Sequence, residues 1–319
     1  MKRQILRPLC TLLLIGWCLL FLRCETTEKS MVRAVYLAQA GRQVTVGLLY
    51  QAPEASADAS EASAALQLQL TQADTLKKAL FAAQDALPQT ADYRLCDYLL
   101  LDKTVSAELL AAYEDAVLQS GQGRAAAKVC ALEMAEDALD ETGDFADKLL
   151  EKLKTNSARM PRLYQHREGL LLPLLCVESG KVTAAHNGLL WNAGTWQELD
   201  APQAEMARLL LGQGRAHTFW LGGMPVTLRR CSVSATVHDT AAFLRLDCQR
   251  SYDTPQLGDD QCMQLAQLCM QTVRLFWQQG IDLVHLQQRN ALQNGVGREA
   301  ITTKNACPQL RADVRFLAI

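Results

Sequence analysis

The sequence lacks the spacings on which most common metal and redox sites are built. None of its eleven cysteines stands in a C-x-x-C pair. None of its five histidines (His166, His186, His217, His238, His285) belongs to H-x-x-x-H or H-E-x-x-H, which removes the usual zinc and zinc-protease signatures. Charge of one sign is also lacking. The formal net charge is −2 and no block of like charge forms a tail, which argues against an electrostatic grip on nucleic acid. No apolar run reaches the ~20 residues of a spanning helix.

What is present first is a leader. Lys2, Arg3 and Arg7 form a basic start, and residues 9–22 are almost wholly apolar. At 1.5 Å per residue that run covers about 21 Å, short of the ~30 Å hydrocarbon core and suited to the apolar region of a signal peptide. Polarity sets in abruptly after Cys24. The remaining chain reads as exported. Its eight later cysteines sit mostly within apolar or strand-like runs such as "KVCAL" and "LLCVE", as small buried hydrophobes rather than a disulfide framework.

With 319 residues, 49% of them hydrophobic, the chain is long enough for two cores. Residues 1–24 are the signal peptide or anchor, 25–211 an N-terminal α/β module and 215–319 a C-terminal α+β module. The expected fold class is mixed α/β (α+β). "MVRAVYLAQAGRQVTVGLLYQ" predicts a hairpin turning at Ala40-Gly41. Residues 52–65, small and acidic, predict a loop. Leu76, Ala79, Leu80, Ala83 and Leu87 share one helical face, ended by Pro88. "YRLCDYLLLD" and "AAAKVCALE" predict buried strands around a helix capped by Ser106, and "MAEDALDETGDFADKLLEKLK" a helix broken at Gly143. Pro173 should open a short strand, residues 182–191 form another, "NAGT" a tight turn, and Asp200 or Pro202 should start a helix that Gly212 and Gly214 stop.

In the last hundred residues, three strands of a meander precede a long helix. Along the second, residues 226, 228, 230, 232, 234 and 236 would share a face that changes from apolar to polar. On the helix, Cys262, Ala266, Cys269, Val273 and Phe276 form a stripe widened by Leu265, Leu268, Thr272 and Leu275. "LRADVRFLAI" alternates as a half-buried antiparallel strand that completes this sheet.

No catalytic constellation emerges. Cys262 and Cys269 are about 10 Å apart along the helix axis, too far for one ion with Zn–S bonds of about 2.3 Å. Gly121-Gln122-Gly123 follows a helix and precedes a strand, the reverse of a phosphate loop. Cys176 and Cys231 lie in mid-strand, where thiols are inert, and the adjacency of His238 and Asp239 does not make a triad. No enzyme activity, cofactor or metal is expected.

Several stretches taken together resemble the Ger(x)C family, the C subunits of spore germinant receptors. They are the leader ending at Cys24, "VRAVYLAQAGRQVTVGLLY", "TLKKALFAAQDAL", "YRLCDYLLLDKTVSAELLAAYEDAV", "LPLLCVESGKVTAAHNGLLWNAGTWQELDAPQAEMARLLLG" and "QQGIDLVHL". The resemblance implies a three-part α/β fold and a non-enzymatic germination lipoprotein, acylated (a palmitate-type anchor) at Cys24. It implies tethering in membrane lipid at the extracytoplasmic face of the spore inner membrane. The partners it implies are integral-membrane A and B subunits that sense small germinants. An uncleaved leader is a second route to anchoring. An exported solute-binding or protein-interaction module is the alternative reading, and a divergent hydrolase the third.

Overall fold

The computed structural model describes residues 29–51, 66–134, 145–178, 180–238, 241–254, 257–295 and 301–317. The leader with Cys24, the 52–65 segment, Gly143, Asp239 and Ala318 lie outside them. The described chain is a mixed α/β structure with two sheets.

The larger sheet has nine strands. They are β1 (Lys29–Ala40), β2 (Gln43–Gln51), β3 (Leu66–Ala73), β4 (Thr90–Asp92), β5 (Tyr98–Leu101), β6 (Lys128–Met134), β7 (Leu170–Glu178), β8 (Lys181–Asn192) and β9 (Thr195–Leu199). The order is β3-β2-β1-β5-β6-β7-β8-β9, with β4 beside the start of β1. The centre, β1-β5-β6-β7, is parallel, and the flanks are antiparallel hairpins. Parallel strands need crossovers, which α1 (Leu76–Asp85), α2 (Ala107–Ser120) and α3 (Phe145–Asn156) supply. Thr75 caps α1 and Ser106 caps α2, the latter accepting from the Leu109 amide at 3.2 Å. One face of the sheet packs on Leu76, Leu80, Leu110 and Tyr113 of α1 and α2. The other packs on Phe145, Leu149 and Leu153 of α3. Covered on both sides, β5 is buried at every position, which is why its sequence is the unbroken apolar run YLLL.

The first hairpin turns at Gly41-Arg42 rather than at Ala40-Gly41, because Ala40 already pairs with Gln43. Gly41 takes a φ of 59° that suits a two-residue loop. Pro173 does not open its strand but sits inside β7, where the register with β8 slips between Pro173 and Leu175. Lacking an N–H, proline is tolerated in a ladder at such an irregularity.

The second sheet is four-stranded: β10 (His217–Leu221), β11 (Met224–His238), β12 (Ala241–Arg250) and β13 (Gln309–Phe316), in that order. Among the described residues β13 pairs with β12 alone, and in parallel rather than antiparallel. The crossover is α5 (Asp259–Gln278) followed by α6 (Leu286–Asn294). The expected face of β11 changes character because a bulge between Leu228 and Arg230 reverses its phase. Val226 and Leu228 are buried before it, Ala235 and Val237 after it.

Core membership crosses the glycine pair at 212 and 214. Helix α4 (Ala201–Leu210), capped by Asp200, places Ala204, Met206, Ala207 and Leu209 in one cluster. Leu171, Leu190 and Leu199 of the first sheet share it with Val226 and Leu246 of the second and with Phe276 of α5. Gly188 permits the approach: a Cβ there would come within 2.9 Å of the Ala204 Cβ. Gly188→Ala should therefore push α4 off β8 and lower stability by about 1–3 kcal/mol, as overpacking does. Thermal unfolding of the variant checks this, and an unchanged Tm would show that α4 yields without strain.

Candidate functional site

Two constellations lie where the sheets meet and on the far side of the second sheet. The first is a buried ion cluster built around Glu205 of α4. Its carboxylate accepts from Arg208 Nη1, one turn on, at 3.2 Å, and meets His217 Nδ1 of β10 at 3.0 Å. Arg159 approaches at 3.7 Å. Arg208 Nη2 donates to the Asn187 carbonyl of β8 at 3.4 Å. Burial alone would raise the Glu205 carboxyl, but the His217 hydrogen bond and the charges of Arg159 and Arg208 outweigh it and hold the group below its ordinary value. Burial pulls Arg208 down, opposed by Glu205.

A carboxylate orienting an imidazole is the geometry of a general base. Here the carboxylate is neutralised by two arginines, and His217 is buried instead of lining a cleft. The cluster's visible work is to join α4 to β8 on one side and β10 on the other. In the sequence His217 belongs to no ligand motif, and Glu205 does not stand out by itself. The available signal was a glutamate and an arginine at i and i+3 inside a helix whose other residues there are Ala, Met and Leu.

The second constellation is the open face of β11-β12-β13, opposite α5. Ser234, Thr236, His238, Phe243, Arg245, Arg311 and Asp313 line a shallow groove of about 600 Å³. Phe243 is 39% exposed. The Arg311 guanidinium lies 5.6 Å from its ring centroid and the His238 ring stands edge-on at 6.3 Å. Arg245 pairs with Asp247 and Arg315 with Asp313, at 2.9 and 2.8 Å. Those two pairs are self-compensated, and Arg311 rests on the Phe243 ring. The face offers hydroxyls, an imidazole and one aromatic ring, the equipment of a recognition surface.

The residues singled out from sequence do not converge. Cys24 lies outside the described residues. Cys176, in β7, is half-buried, and burial pushes its thiol up. Cys231 turns to the helix-covered side of β11 and His238 to the open side. Seven residues of strand, about 23 Å, separate them. Cys231 instead meets Cys248 directly opposite, Sγ to Sγ at 2.9 Å, both as free thiols. Cys269 faces the core with its thiol pushed up to about 12 by burial, while Cys262 is only partly covered. Gly121 is the C-cap of α2. Asp282, in the "QQGIDLVHL" stretch, accepts from the amides of Leu286 and Gln287 at 2.8 and 2.7 Å and so starts α6. Among the described residues no three His, Cys, Asp or Glu side chains converge as metal ligands, and no helix is long and apolar enough to cross a membrane.

No protein-family model and no curated protein matches the sequence. Among solved structures, one described as the crystal structure of the GerBC protein is similar, with a TM-score of 0.48 and 10% identity, over 89% of this chain and 97% of that one.

Proposed function

We propose that the chain is a membrane-tethered, non-enzymatic subunit of a spore germinant receptor. In this reading it is held at the extracytoplasmic face of the spore inner membrane through Cys24 and assembles with integral-membrane A and B subunits. One observation carries the reading. The stretches that resemble the Ger(x)C family between residues 32 and 212, scattered in sequence, fold as the central hairpin, the crossover helices and the β7-β8-β9-α4 end of one sheet. Tethering geometry supports it. Lys29, the first residue of β1, follows Cys24 by five residues, about 18 Å at full extension. A lipid anchor at Cys24 would keep the β1–β4 end of the sheet close to the bilayer.

Expression in a Gram-positive host, followed by fractionation and palmitate labelling, tests the anchor. The wild type should sediment with membranes and take up label, and Cys24→Ala should lose the label. Retention of unlabelled wild type in the membrane would leave the leader as the anchor. A wholly soluble wild type would remove the tether from the reading. Co-purification with two multi-span subunits expressed alongside it tests the receptor role.

The groove on the second sheet favours a second reading, an exported solute-binding or protein-interaction module. That reading gains if the chain is secreted and captures neither membrane subunit.

A further inference from the structure

β11 carries two consecutive arginines, Arg229 and Arg230. Neighbours on a strand normally point to opposite faces, and one of the two would then lie under α5. Both are exposed, because the bulge between Leu228 and Arg230 inserts the extra residue at this point. Arg250, paired with Leu228 across the ladder, and Arg215, just before β10, bring two more guanidinium groups to the same place. With Ala216, Gln249 and Tyr252 the four arginines line an open cleft of about 600 Å³.

Among the described residues no carboxylate lines this cleft. Elsewhere on the same sheet Arg245 has Asp247 and Arg315 has Asp313, while Arg311 stands singly over the Phe243 ring. Among the described residues none of the four cleft arginines has a carboxylate partner. Arg250 is oriented by donating from Nη1 to the Thr254 carbonyl at 3.1 Å, which leaves the rest of its fork free to donate elsewhere. Arg229 lies over the Tyr252 ring at 5.5 Å, and that ring is 74% exposed. Like charges gathered without counter-charge repel one another, and an anion in the cleft relieves that repulsion.

We propose that this cleft binds a phosphate-bearing anion. A carboxylate brings one negative charge and two oxygens to four cations. A phosphate monoester brings about −1.5 to −2 and three strong acceptor oxygens, which guanidinium forks take in pairs. The Tyr252 ring offers an apolar face and a hydroxyl to whatever carries the phosphate. The same monoester chemistry is presented by a soluble phosphomonoester and by a lipid whose headgroup ends in one, phosphatidic acid. The site is independent of the receptor role.

The test uses the full chain in non-ionic detergent at low salt, titrated calorimetrically with inorganic phosphate, glycerol phosphate and short-chain phosphatidic acid, with acetate as control. At least one phosphate species should bind, the affinity should fall steeply with salt, and acetate should bind at least about tenfold more weakly. Arg229→Gln, at an exposed residue with no hydrogen bond to lose, and Arg230→Gln should each weaken binding about tenfold with unchanged circular dichroism and Tm. Arg230→Lys should restore part of it, since charge returns without the fork. Tighter binding of phosphatidic acid than of glycerol phosphate assigns the site to a lipid headgroup, and the reverse order to a soluble ester. The proposal is overturned if no phosphate species binds, if acetate binds equally well, or if neither Arg→Gln variant changes the affinity.

Discussion

Glu205→Ala should destabilise the protein by about 3 kcal/mol or more, enough to remove a large part of the stability of a typical domain. The substitution leaves Arg208, 2% exposed, and His217 without their shared acceptor in a place water does not reach. Arg159 is 41% exposed on its side chain and contributes little to this figure. The loss should be read as the cost of stranding a buried guanidinium, so Glu205→Gln, which keeps an acceptor, should cost less. Acid dependence gives a second readout. The Glu205 carboxyl is depressed in the folded protein, so the stability it contributes is complete above its ordinary value of 4.5 and is lost as pH falls through the lower folded value. Urea unfolding of wild type and Glu205→Ala from neutral pH into that acid limb should converge. If the variant unfolds at the wild-type midpoint at neutral pH, the cluster does not hold α4 in place.

Ending the chain after Pro308 should have a still larger effect, the loss of folded structure in the whole second sheet. β13 contributes the buried Leu310 and the half-buried Ala312, Val314 and Phe316 to the cluster beneath α5. Its removal bares the edge of β12 and one side of the α5 stripe around Cys269, Val273 and Phe276. α4 shares that cluster, so the damage should not stop at Gly212 and Gly214. The first sheet keeps two clusters of its own, one under α1 and α2 and one under α3. Limited proteolysis of the truncated chain should therefore leave a resistant fragment ending near Asp200, before α4. Resistance extending through Phe276 would mean that β13 is dispensable to the core. A fragment ending at Gly212–Gly214 would mean that α4 belongs to the first sheet alone.

Much of this fold is legible in the residues, and the exceptions have physical causes. The stripe on α5 and the alternation along β13 are legible because each element buries a single face, and periodicity reports that directly. The stripe as read stopped at Phe276 and omitted Trp277, which is buried with its Nε1 donating to the Asn305 carbonyl. β3, the stretch LQLQLTQA, escaped notice because its leucines are mostly half-covered on a flank of the sheet and a featureless acidic segment precedes it. Alternation carries no direction, so the parallel course of β13 could not be told from an antiparallel one; only the two helices of the crossover decide it. The Glu205–His217 contact joins a helix to a strand across a change of sheet, and no period links positions so placed. The arginine cleft is hidden for a similar reason, since two adjacent arginines mean nothing until a bulge turns both to one side.

The pairing of β12 with β13 also bears on how the chain reaches this state. Every contact in that ladder, from Ala241↔Gln309 to Cys248↔Phe316, joins residues far apart in sequence. Closing it requires the whole α5–α6 crossover to be in place first, and long-range parallel pairing of this kind is intrinsically slow. During that interval β12 presents an unpaired edge, with Leu244 and Leu246 on the face that α5 must still cover. The charges that flank those leucines, Arg245 and Asp247, sit on the other side of the strand. They leave the apolar face itself unguarded, so the second sheet is the part of the molecule most open to association with another unfinished chain.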